Sequence, residues 1–129
     1  MAYVTELVGI TDKEVERLHE AGIRTMTQLL EVGATSAGRM RLADEANLDD
    51  ATIKAWVHQA DLLRIPGMSI RFATTLCEAG VCTIPKLAYR SAESLHDDLT
   101  QVGKRSIPST QELHGFIVAA KRLPKLVRH

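Results

Sequence analysis

"IPGMSIRFATTLCEAGVCTIPKL", residues Ile65 to Leu87, opens on a Pro-Gly bend, follows an apolar stripe to a second glycine, and restarts at Thr83. Laid beneath "LVGITDKEVERLHEAGIRTMTQL", residues Leu7 to Leu29, it falls into register at a spacing of 58. Gly9 pairs with Gly67, Thr11 with Ser69, Leu18 with Leu76, Glu20-Ala21-Gly22 with Glu78-Ala79-Gly80, and Thr25 with Thr83. Farther along, "IKAWVHQADLL" (Ile53 to Leu63) lies over "LHGFIVAAKRL" (Leu113 to Leu123), so that Trp56 faces Phe116. One supersecondary unit used twice predicts a single domain over residues 1–129, built of two pseudo-twofold repeats at about 7–64 and 65–123. No linker rich in Gly, Ser or Pro separates the copies, and helix four reads as running straight into the second.

Within each copy the apolar residues recur at helical spacing. Ile53, Trp56, Val57, Ala60 and Leu63 form one stripe; Leu113, Phe116, Ile117, Ala120 and Leu123 form another. Trp56 reads as a core residue packed between the copies rather than a base-stacking platform. Thr11 with Glu14 three residues later is a capping box, Asp49 and Ser109 stand ahead of their stripes, and Gly22 and Gly80 sit where a C-terminal cap ends a helix. The pattern predicts helices at 12–21, 25–32, 36–46, 49–64, 69–79, 83–90, 92–102 and 109–123. No segment keeps the two-residue alternation of a half-buried strand, so the expected class is all-α, with about eight short helices.

With 45% hydrophobic and 25% charged residues the chain is globular rather than disordered. No apolar run approaches the ~20 residues that span a bilayer. The N-terminus lacks a signal-peptide core, so the expectation is a cytoplasmic protein with no membrane partner. Sixteen basic residues balance sixteen acidic ones, so any binding of a polyanion must come from a local patch.

The stretch Leu62, Ile65, Pro66, Gly67, Met68, Ser69 resembles the helix-hairpin-helix signature, with Ser69 in place of its final glycine. Val8-Gly9-Ile10-Thr11 resembles the same hairpin with Thr11 in that place. Asn47-Leu48-Asp49 and Ser106-Ile107-Pro108 resemble more divergent copies. The two-copy pattern, with "AGIRT" and "AGVCT" after the better hairpins, resembles the prokaryotic domain-of-unknown-function family 4332, a tandem helix-hairpin-helix domain. That resemblance implies a helical, non-enzymatic fold of a class that commonly holds DNA through its phosphates.

The residues supply a physical reason of their own. A glycine turns the backbone with its amides outward, and the helix that follows presents unpaired N–H groups and a positive dipole end. At the second hairpin the candidate phosphate ligands are Gly67, Met68 and Ser69, with charge from Arg64 and Arg71. A weaker site at the first hairpin would use Gly9, Ile10, Thr11 and Lys13, against repulsion from Asp12 and Glu14. The leading expectation is therefore non-specific binding of nucleic-acid phosphates, DNA foremost and RNA as the other substrate. The alternative is a protein-interaction or self-association module whose hairpins only build the core. The basic tail from Lys121 and Arg122 through Lys125 to Arg128 reads first as a complement to the negative end of the last helix.

Other chemistry finds little support. Cys77 and Cys82 are five apart, neither a redox Cys-x-x-Cys pair nor a common zinc spacing, and read as buried free thiols. His19, His58, His96, His114 and His129 are scattered without a metal-binding pattern. No nucleophile-base group, Walker loop or paired carboxylate stands out, so neither catalysis, a cofactor nor a metal is expected.

Overall fold

The computed structural model describes residues 2–103 and 107–128. Its elements are α1 (Asp12–Glu20), α2 (Met26–Gly33), α3 (Ser36–Ala46), α4 (Asp50–Leu62), α5 (Ile70–Glu78), α6 (Ile84–Ala88), α7 (Ala92–Gln101) and α8 (Thr110–Arg122). A short 3-10 turn at Val4–Glu6 precedes them, and Tyr3 makes an isolated antiparallel bridge to Thr25. The class is all-α, and every helix end falls within two residues of its expected place.

The starts are set by hydroxyl side chains. Thr11, Thr25, Thr35, Ser69, Thr83, Ser91 and Ser109 each occupy an N-cap and accept a hydrogen bond from the amide three residues on. Each such bond is worth about 1 kcal/mol against alanine. At α4 the carbonyl of Asp49 accepts from the Ile53 amide. Thr11 with Glu14, Thr25 with Gln28 and Ser109 with Glu112 complete reciprocal capping boxes.

The ends of α1 and α5 obey one rule. After α1, Gly22 donates to the His19 carbonyl at 3.0 Å and Ile23 to that of Leu18 at 2.8 Å, with Gly22 at φ 86°. After α5, Gly80 donates to Cys77 at 3.0 Å and Val81 to Leu76 at 2.8 Å, with Gly80 at φ 84°. Both are Schellman caps, which glycine permits because it alone enters the left-handed region without strain. In each, the residue after the glycine is buried with the helix leucine whose carbonyl it bonds.

Contacts divide the chain into two units, residues 1–61 with 125–129 and residues 62–124. In the first, α3 packs against α1 and α2. Leu18, Leu29, Leu42 and Ile53 are fully buried there, and Trp56 is buried at 7% exposure. Arg39 is also buried, and its guanidinium donates to the carbonyls of Gly33 at 2.8 Å and Arg128 at 2.6 Å. The Arg128 amide donates in turn to Ala34, so the chain's end is pinned to the α2–α3 corner. In the second unit α8 packs against α6 and α7 over Leu76, Leu87, Leu95, Leu99, Leu113 and Ile117. Phe72 and Phe116 lie beside that core with ring centroids 5.6 Å apart.

Two expectations need correction. Helix four stops at Leu62 instead of continuing into the second hairpin, because the chain turns there, with the Ile65 amide donating to the Leu62 carbonyl. Cys77 and Cys82 are joined by a disulfide and are not free thiols. Spacing alone argued against a pair, but a Schellman cap folds the chain back within five residues and brings the two Cα atoms to 4.1 Å.

Candidate phosphate-binding hairpin

At the second hairpin the chain leaves α4 and makes a turn across Pro66 and Gly67, closed by the Met68 amide donating to the Ile65 carbonyl at 3.1 Å. Proline second and Gly67 third, at φ 83°, are the residues a type II turn requires. Ile65 and Met68 anchor the turn by burying their side chains in the core of the second unit. Pro66, Gly67 and Ser69 remain exposed. Ser69 then starts α5, its Oγ accepting from the Phe72 amide at 3.0 Å. Arg71 is exposed in the first turn of α5, and that turn contains no acidic residue.

The five expected ligands therefore divide. Gly67, Ser69 and Arg71 are exposed together around the start of α5. Met68 points inward and its amide is taken by the turn. Arg64 is half-buried, and its guanidinium donates to the Pro124 carbonyl at 2.6 Å, beyond the end of α8.

The first hairpin has the same backbone and different chemistry. Ile10 donates to Leu7 at 3.3 Å across Val8-Gly9, with Gly9 at φ 82°. Here the carboxylate of Glu14 accepts from the Thr11 amide at 2.9 Å and from the Thr11 hydroxyl at 3.0 Å. An amide that a phosphate would need is already bonded to an anion, and Asp12 adds a second charge beside it. Lys13 is exposed. Three residues after Ser69 stands Phe72, which has no carboxylate to compete.

Of the divergent hairpins, Asn47 ends α3 in the left-handed conformation at φ 52°, and its carbonyl accepts from Arg17 at 3.1 Å. Ser106 lies outside the described residues; Ile107 and Pro108 lead into the Ser109 cap.

Two open hollows also lie on the described surface. One, of about 600 Å³, lies along α1 and is lined by Asp12, Glu16 and Glu20 with His19 and Arg24, a surface that repels polyanions. The other, of about 620 Å³, lies in the second unit between the start of α7 and α8, with Arg90, His114 and Lys121 against Glu93. Tyr89 stands at its edge, 91% exposed. Arg90 is partly committed, donating to Ser94 and pairing with Asp98.

Charge follows the same division. Residues 1–61 with 125–129 hold eight basic and eleven acidic side chains, net −3, and residues 62–124 hold eight basic and five acidic, net +3. The neutral total is the sum of two opposite halves. The asymmetry was already legible in the sequence, since the expected repeats 7–64 and 65–123 carry −3 and +2, but charge summed over the whole chain hides it.

Residues 8–123 match the family described as Domain of unknown function (DUF4332). The chain belongs to that family. The match takes in both hairpins and all eight helices up to Leu123. No curated protein and no solved structure matches the chain. Among the described residues no group of three His, Cys, Asp or Glu side chains is placed to hold a metal ion, and no helix is long and apolar enough to cross a membrane.

Proposed function

We propose that this DUF4332 chain is a non-enzymatic, tandem helix-hairpin-helix module that holds nucleic-acid phosphates, DNA foremost, without reading sequence. The observation that carries the reading is the start of α5. Gly67, Ser69 and Arg71 are exposed there, no acid stands in the first turn, and the surrounding unit has a net charge of +3. A phosphate at that place meets backbone N–H groups, the positive end of a helix and a guanidinium. Arg64 adds long-range charge from its seat on Pro124. The first hairpin, closed by Glu14, serves as structure. The reading places the protein in the cytoplasm, with nucleic acid as its partner.

Fluorescence anisotropy of labelled duplex DNA, single-stranded DNA and RNA, at roughly 50 and 200 mM salt, tests this. The expected result is saturable binding to duplex DNA in the micromolar range or weaker, losing affinity with a log-log slope near −0.9 per phosphate contact. No binding at the lower salt would retire the proposal.

Two observations favour a second reading, an assembly module with purely structural hairpins. The Met68 and Thr11 amides are both consumed internally, and Tyr89 and Met40 are exposed at 91% and 60%. A protein partner or a second copy would cover such side chains. A mass that rises with concentration, together with absent DNA binding, would select it.

A further inference from the structure

We infer that Cys77 and Cys82 are a reversible thiol–disulfide pair, a modification site that a dithiol reductant opens without unfolding the protein. Cys77 lies in the last turn of α5 and Cys82 directly before Thr83, the N-cap of α6. Both residues are half-buried, so neither is sealed in the core.

The bridge spans a turn that the backbone closes by itself. The α1–α2 turn is an internal control. Its two Schellman bonds have the same lengths as those after α5, and its C-cap Ala21 has the same φ and ψ, −83° and 4°, as Ala79. At the positions of the two cysteines it carries His19 and Arg24, which cannot cross-link. The disulfide is therefore not what shapes the turn. A cross-link over so few residues also removes less freedom from the unfolded chain than one closing a longer loop, so it is the weaker kind of staple.

Cys77 packs against the core of the second unit, which leaves the sulfur of Cys82 as the point of attack. A thiolate of the reductant bonds to Cys82 Sγ and breaks the Cys77–Cys82 bond, and Cys77 leaves as a thiolate and takes a proton. The reductant's second thiolate then displaces Cys82, which is protonated in turn. Two electrons and two protons end on the cysteine pair, and the reductant departs as its own disulfide. Oxidised glutathione reverses the exchange by accepting the same two electrons.

The test uses the full chain. Protein purified without reductant is treated with dithiothreitol under native conditions, alkylated with iodoacetamide, weighed by mass spectrometry and followed by far-ultraviolet circular dichroism. The expected result is no alkylation before reduction and two alkyl groups after it, with unchanged helicity and a Tm lowered by less than about 10 °C. Oxidised glutathione should restore the unalkylated, bridged mass. The double variant Cys77→His with Cys82→Arg, which copies the α1–α2 turn, should keep native helicity. Two free thiols before reduction, alkylation only after denaturant, or loss of helicity in the reduced protein or in the double variant would overturn the proposal.

Discussion

Arg39 and Ser69 show what single side chains contribute. Arg39 satisfies two carbonyls from a buried position, so truncating it leaves Gly33 and Arg128 without that donor. Arg39→Ala should lower the unfolding free energy by about 1–3 kcal/mol in urea titration, a cost set mainly by the buried Gly33 carbonyl, since Arg128 is exposed and water can replace the lost donor there. Ser69→Gly should do the reverse of harm to binding. Glycine at an N-cap loses only a few tenths of a kcal/mol, while removal of the β-carbon opens the approach to the α5 amides. Tighter DNA binding in anisotropy is the expected outcome; unchanged affinity would place the phosphate elsewhere. The caps at Thr11 and Ser109 were legible in the sequence because a hydroxyl and its target amide are three residues apart; those at Thr25, Thr35, Thr83 and Ser91 were not singled out. Arg39 was not, since its partner Arg128 is 89 positions away. Nor was the disulfide, which depends on the shape of a turn rather than on a motif.

At the scale of elements, the helices were readable almost residue by residue, because caps and apolar period agree. What the pattern could not give was how closely they approach. A β-carbon on Gly38 would stand 2.0 Å from the Val32 carbonyl oxygen, and one on Gly33 would stand 2.2 Å from Val57 Cγ2. Gly38→Ala meets backbone that cannot swing aside, so a loss of about 2 kcal/mol or more is expected, read from the denaturation midpoint. Trp56→Ala, on the buried face of α4, should cost about 3–5 kcal/mol by the same measurement. The two best hairpins share a turn geometry that their Pro-Gly and Val-Gly sequences announce. The difference between them, Glu14 closing one and Phe72 leaving the other, was visible in part: the Thr11–Glu14 capping box and the repulsive acids of α1 were both legible, but not that the box takes the amide this hairpin would offer a phosphate.

For the whole molecule, charge and fold argue together. A chain with sixteen charges of each sign offers no net field, yet its second unit carries +3 and holds the hairpin with exposed Gly67, Ser69 and Arg71. The first unit carries −3 and a hairpin whose amide is already bonded to a carboxylate. Polyanion binding through one hairpin and not the other is the central claim. It is tested most directly by comparing duplex-DNA affinity in Arg71→Glu and Lys13→Glu at roughly 50 mM salt. Both residues are exposed in the first turn of their helices, and both substitutions change the net charge equally. The account expects Arg71→Glu to weaken binding about tenfold or more and to flatten the salt slope by about one contact, with Lys13→Glu close to the parent. Equal losses in the two variants would mean that binding follows net charge alone, and the assignment to the second hairpin would be wrong.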